Sequence, residues 1–256
     1  ILYLWDMSRT DGQPPKGFES AGGTEIDSTF INAKLRVGDL FFANTDLNGH
    51  GTHVSGTAAG NGGGTQFIGM APEADLVVVK ATRGEASGSF SSADIITALD
   101  YIHKTAERLG KPYVINMSLG AVAGPADGSD AESAAIDNLV GAGKENKVVV
   151  VAAGNDGERR IHAQDTLSTD SGIDISKTFN IPVADASVGV QIWTAIDPND
   201  VNKVFISVTG PDTTFGPVSG FPQAISKQRD GDITVVSSPH PFILTGTDIQ
   251  TQVTIT

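Results

Sequence analysis

The segment NGHGTHVSGTAAG, from Asn48 to Gly60, sets a histidine between two glycines, repeats a histidine three residues on and continues in small side chains. The small residues read as a helix that begins at His50. There the positive end of the helix dipole disfavours the imidazolium form. A histidine held neutral near pH 7 is ready to act as a general base. Gly49 and Gly51 leave the ring accessible, while Ser55, Gly56, Ala58 and Ala59 let the helix pack closely on a sheet. Two other uses compete: a helix-capping histidine with no task, and metal binding by His50 with His53. The zinc-protease pattern has a glutamate after its first histidine. Here the interval is Gly-Thr, so no metal is assigned. His53, His103, His162 and His240 lack such settings and read as structural or surface residues.

The elements that must position His50 follow from periodicity. LVVVKA (Leu76–Ala81), PYVINMSLG and KVVVVAAG (Lys147–Gly154) are short apolar runs of the kind buried strands show. Between them, Ile95, Leu99, Ile102, Ala106 and Leu109 recur at helical spacing, with a serine or Asp94 as start signal and Gly110 as stop. Asp130–Gly143 is a second helical pattern, through Ala131, Ala135, Leu139 and Val140. Near-continuous apolar strands alternating with amphipathic helices predict an α/β fold, a parallel sheet with helices on both faces. From about residue 165 the pattern changes to VGVQIWTAID, KVFISVTG, GDITVVSS and QTQVTIT, separated by Asp, Asn, Gly and Pro. The expected organisation is therefore an α/β domain over 1–164 and an all-β sandwich or jelly roll over 165–256. GNGGGT (Gly60–Thr65) fits neither phosphate-loop pattern and reads as a loop.

Composition narrows the function. A net charge of −13 argues against a nucleic-acid partner. No apolar run approaches the ~18 residues of a membrane span. The absence of cysteine removes disulfides and thiolate metal sites. With Trp5 and Trp193 as the tryptophans, aromatic platforms for a sugar are few. The chain opens at Ile1 on the apolar run ILYLW and closes on DIQTQVTIT, and so reads as an internal fragment.

HGTHVSGTAAG resembles the histidine motif of the subtilisin-like serine proteases, in which the first histidine is the triad base. VINMSLG (Val114–Gly120) is similar to the strand that lines their substrate groove, and VVVAAGNDG (Val149–Gly157) to the segment ending in their oxyanion-hole asparagine. The motifs stand in the family's order, within residues 1–160. ILYLWD, APEADLVVVKATRG and the long helix resemble a clostridial and Bacteroides-type branch similar to the Csp germination proteases. That branch carries a jelly roll inserted in the protease domain. The resemblance implies a serine endopeptidase with His50 as base, Asn155 as oxyanion donor, and Ser118, Leu119 and Gly120 contacting substrate. The residues support the second role, since Asn155 follows an apolar strand at a glycine-flanked turn. The partners implied are a peptide or protein substrate and the remaining segments of the same protease. No cofactor is expected, and the sequence shows no structural calcium site. An extracellular or cell-envelope location in a bacterium is favoured.

The match is incomplete. A subtilase acid follows an apolar strand in the form Asp-[Ser/Thr]-Gly. Before His50 stand Asp6, Asp11, Asp27, Asp39 and Asp46. Asp6 follows ILYLW but precedes Met7-Ser8-Arg9, and ILYLWD better resembles the strand after the aspartate loop. Asp46 resembles the structural acid just before the histidine motif. The serine motif Gly-Thr-Ser is missing, and in VVSSPHP the position four before Pro239 is Val235. The acid and the nucleophile are expected outside this chain, on segments that include a strand lying between LVVVKA and VINMSL. A pseudoprotease or binding protein on the same scaffold is the alternative.

Overall fold

The computed structural model describes residues 1–39, 46–83, 90–122, 124, 126–159 and 161–164, and the backbone of strands between 190 and 255. The chain divides into two compact units. One comprises Ile1–Leu119 and Ala131–Ala152, the other Gly120–Asp130 and Ala153–Thr256.

In the first unit β1 (Tyr3–Asp6) lies between β2 (Thr24–Asp27), its antiparallel partner, and β3 (Val77–Lys80), its parallel one. A second ladder pairs β4 (Tyr113–Met117) with β5 (Lys147–Val151) in parallel. The helices are α1 (Ser28–Arg36), α2 (His50–Ala59), α3 (Ser92–Leu109) and α4 (Ala131–Leu139).

α3 begins and ends where its signals stand. The Asp94 amide donates to the Ser91 side chain at 3.1 Å. Gly110 takes the left-handed conformation, φ 63°, and its amide reaches the Ala106 and Glu107 carbonyls. The apolar face of α3 serves both ladders. Ile95 and Leu99 pack with Ile115, Met117 and Leu139, and Tyr101 packs with Trp5, Met7 and Phe18. Ile102 touches both clusters. The aromatic cluster is tight, with ring centroids 5.0 Å apart for Trp5–Tyr101 and 5.5 Å for Trp5–Phe18. Its polar atoms are satisfied: Trp5 Nε1 donates to the Gly22 carbonyl at 3.0 Å and Tyr101 Oη to Glu25 Oε1 at 2.6 Å. Burial, then the bond to Glu25, pushes the Tyr101 hydroxyl pKa upward.

The first turn of α3 is held by an ion pair. Asp94 Oδ1 accepts from Arg83 Nε at 2.8 Å and Nη2 at 2.5 Å, and Oδ2 accepts from Ser91 Oγ at 2.8 Å. The Arg83 bonds, aided by Ser91, hold this carboxyl below the ordinary carboxylate range against the opposing effect of burial. A depressed folded-state pKa stabilises the protein above the unfolded value, near 4, and that stability is lost as pH falls through the folded value. Asp94→Asn should therefore cost about 1.5–3 kcal/mol at pH 7, the worth of hydrogen bonds to a charged group. Urea unfolding of both proteins across the acid range checks this: their difference should shrink below about pH 4.

Two features differ from a closed parallel sheet. β3 and β4 do not pair, and among the described residues no strand occupies the second edge of either. ILYLW forms β1 on the far side of β3, so Asp6 is not in a place between β3 and β4. The β4–β5 ladder is also covered on one face only. Ile115 and Met117 are buried under α3, while Val114 is 68% exposed and Val148 and Val150, which oppose Val114 and Asn116, are each 49% exposed. The apolar runs predicted burial on two faces. The alternation of side chains along a strand delivers one of them here.

The second unit holds β6 (Val190–Ile196), β7 (Ile206–Thr209), β8 (Thr214–Val218), β9 (Gln223–Gln228), β10 (Asp232–Pro239) and β11 (Ile249–Ile255). Pairing is antiparallel throughout, in the orders β6-β11-β10-β9 and β7-β8. The strand-rich character read from the sequence is present. The jelly-roll closure rests on segments outside the described residues, 165–189 among them.

Candidate active site

α2 carries His50 as its first residue, exposed to solvent. Both ends of this helix are fastened by the chain beside it. At the start, Asp46 Oδ1 accepts from the Gly49 amide at 2.9 Å, and Oδ2 accepts from the Thr52 amide at 2.7 Å and the Thr52 hydroxyl at 2.6 Å. Gly49 sits at φ +80°, a conformation that side-chain-bearing residues rarely adopt. The Thr52 hydroxyl, followed by the loop amides, holds the Asp46 carboxyl below its ordinary range. At the far end, Gly69, Met70 and Ala71 donate to the carbonyls of Gly60, Thr57 and Ala58 at 2.7, 3.2 and 2.9 Å. A Cβ on Gly69 would stand 2.6 Å from the Gly60 nitrogen and 2.8 Å from the Gly56 carbonyl oxygen, so only glycine fits. The sequence shows the small residues and the histidine. The resemblance marks Asp46 as a structural acid; that Thr52 and Gly69 complete the fastening is seen only in the structure.

The positive end of α2 is therefore not bare, as a dipole argument alone supposes. It faces a carboxylate three residues upstream of the N-cap. The His50 ring makes no hydrogen bond among the described residues, and each candidate acid is engaged elsewhere. Asp6 is buried, accepting from the Ser8 amide and hydroxyl at 2.9 and 2.6 Å and lying 3.5 Å from Lys80 Nζ. Asp11 binds Arg9, which lowers its pKa to about 2. Asp27 caps α1 through the Phe30 amide at 2.8 Å, and Asp39 pairs with Lys34 at 2.9 Å.

Ser118 lies one residue past β4, rather than within a strand. Its Oγ accepts from Asn116 Nδ2 at 3.0 Å. Leu119 packs against the Ile95–Leu99–Ile115 cluster, and Gly120 opens the second unit. β5 ends at Val151, and the Ala152 amide extends the ladder to the Met117 carbonyl at 3.1 Å. Gly154, at φ +88°, then turns the chain into Asn155, which is exposed and belongs to the second unit. Val235 lies inside β10, opposite Ile225 and Ile255.

The Subtilase family model matches residues 20–238. Subtilisin DY of Bacillus licheniformis is 34% identical over 167 residues, 61% of this chain and 56% of its own length. The Major intracellular serine protease of Bacillus subtilis is 41% identical over 114 residues, 44% of this chain and 32% of its own. Among solved structures, the CspB protease of Clostridium perfringens superposes with a TM-score of 0.71 at 25% identity, over 100% of this chain and 51% of that one. The chain thus spans between 32% and 56% of the lengths of these relatives.

Proposed function

We propose, because the chain belongs to the Subtilase family, that it is the part of a serine endopeptidase that supplies the general base and the oxyanion donor. The observation that carries the reading is the exposed imidazole of His50 at the start of a helix fastened at both ends, within the family match. A serine from a segment outside this chain attacks the peptide carbonyl. His50 takes the serine proton and later gives it to the leaving amine, while an aspartate, also from outside, orients the ring and stabilises the imidazolium. The Asn155 side-chain amide donates to the oxyanion. Ser118, Leu119 and Gly120 contact the substrate backbone beside the scissile bond. The acyl transfer needs no cofactor, and any calcium has a structural role.

Asn155 gives the sharpest residue-level test. In subtilisin, the source of the figure, loss of one oxyanion donor costs ~2.7–4 kcal/mol, or about 10²–10³ in kcat. In the full-length protein Asn155→Gly should lower kcat by that factor and leave KM little changed, because the donor acts on a charge present only in the transition state. A change in KM alone would remove Asn155 from the oxyanion role. The second reading, a pseudoprotease, rests on the lack of an Asp-[Ser/Thr]-Gly string before His50 and of a Gly-Thr-Ser string in these residues. Labelling of the full-length protein by a fluorophosphonate decides between the two.

A further inference from the structure

The ion pair at the start of α3 is also a joint between separate segments, and we propose that Arg83 and Asp94 are a positioning pair for the substrate groove, holding α3 where it supports Leu119. This rests on the substrate contact given to Leu119 above. Arg83 lies three residues past β3, and its guanidinium reaches three other parts of the chain. Nε and Nη2 donate to Asp94 Oδ1 at 2.8 and 2.5 Å, Nη1 donates to the Ala21 carbonyl at 2.9 Å, and Nη2 lies 4.0 Å from the Met7 sulfur. Ala21 ends the 3-10 turn Glu19–Ala21 that precedes β2, and Met7 directly follows β1. One side chain thus ties the ends of β1 and β3, and the turn before β2, to the first turn of α3. A guanidinium can do this because its donors form a fixed planar fork, which a lysine ammonium lacks.

The joint bears on the groove through apolar packing. Asp94 accepts from Arg83 on one oxygen and from Ser91 on the other, so the start of α3 is held from both sides. Phe90 immediately precedes the N-cap Ser91, and Ile95 follows Asp94. Ile95 belongs to the buried cluster with Leu99, Ile115, Met117 and Leu139, and Phe90 and Leu119 both pack against that cluster. Leu119 stands two residues past the end of β4. The ladder with β5 closes before it, at the bond from the Ala152 amide to the Met117 carbonyl. Among the described residues, then, the cluster beneath Leu119 places it, and strand pairing does not. A close-packed interior transmits displacement. Loosening the Arg83–Asp94 pair frees the first turn of α3, and Leu119 shifts with the cluster that this turn helps to build. The effect falls on substrate affinity, because the proton that His50 handles is not involved.

The test uses the full-length protein in two forms. In the His50→Ala background, which removes turnover and leaves the groove, fluorescence anisotropy gives the Kd of a fluorescein-labelled casein peptide. In the active protein, KM and kcat are measured on the same peptide. Arg83→Ala should raise both Kd and KM about 2–30-fold, the range over which residues outside a site modulate it through packed neighbours. It should leave kcat within about twofold. Arg83→Lys should recover only part of the affinity, because the charge returns without the fork. Leu119→Ala should itself weaken binding, and Arg83→Ala should add little on top of it, because the pair acts through Leu119. Tyr101→Phe loosens α3 at its bond to Glu25, away from the joint, and is the control for stability alone: Tm should fall with Kd in place. An Arg83→Ala protein of lowered Tm and unmoved Kd overturns the inference, as does an effect that multiplies in full with that of Leu119→Ala. If Arg83→Ala does not fold, Arg83→Lys carries the same comparisons. A Leu119→Ala protein that binds as tightly as its parent removes the groove role of Leu119 and this inference with it. A full-length protein that binds the peptide without turning it over removes only the peptidase reading, and the anisotropy still decides whether Arg83 and Asp94 position the groove.

Discussion

His50→Ala should lower kcat of the full-length protein about 10⁶-fold, the largest effect expected of any single substitution in this chain. The size follows from how a triad works. Serine and histidine act as one unit, so in subtilisin removing either costs about as much as removing all three members. What survives, roughly 10³–10⁴ over water, comes from substrate binding and the oxyanion donors. Because the imidazole handles a proton and does not hold the ground-state peptide, KM should stay within a few-fold. Single-turnover acylation is the cleanest measurement, since it isolates the step in which the proton moves. Residues 1–256 alone should neither cleave casein nor take up a fluorophosphonate. A covalent adduct on any serine of this chain would reveal a nucleophile here and sink the division of labour argued above. A His50→Ala loss of only tenfold would make another group the base.

Much of this was legible because the signals are local. Ser91 and Gly110 bracket α3 in the sequence as they do in the structure, and five apolar residues at helical spacing announce the face that covers both ladders. The start of α2 at His50 was legible for the same reason, since the helix runs in small residues from that point. Of the bonds that fasten this start, the resemblance marked the acid, Asp46, but not its partners. The bonds from Asp46 span three and six residues across a left-handed glycine, and no periodic pattern encodes such a turn. Gly69 returns to the end of α2 through a loop whose composition resembles any other. The open face of β4 and β5 was misjudged because an apolar run reports only that burial is possible. Val114, Val148 and Val150 show that the partner for that face is not among the described residues. Ser118 was expected inside a strand that ends at Met117, a one-residue difference within the usual uncertainty of strand ends.

The open edges of β3 and β4 lead to the second large effect: residues 1–256 alone should be far less stable than the full-length protein, and the difference should centre on these two strands. α3 connects β3 to β4 as a crossover and packs on both ladders, which makes the ladders parts of one layer. Parallel strands in such layers are covered on both faces and paired on both edges. Here β3 pairs only with β1 and β4 only with β5 among the described residues. A dry, unpaired backbone group costs ~1–3 kcal/mol. Each apolar side chain left uncovered forfeits roughly 1.5–3 kcal/mol. A few of each rival the whole net stability of a domain, about 5–15 kcal/mol. A strand from outside these residues, inserted between β3 and β4, removes both costs together. Hydrogen exchange makes the comparison directly. In residues 1–256 alone, the β3 and β4 amides that point away from β1 and β5 should exchange orders of magnitude faster than in the full-length protein, while those of the β1–β3 ladder keep more of their protection. Equal protection of both sets in the two proteins, with one cooperative unfolding transition at the same temperature, would mean that β3 and β4 need no further strand. The apolar face of Val114, Val148 and Val150 would then be surface in its own right.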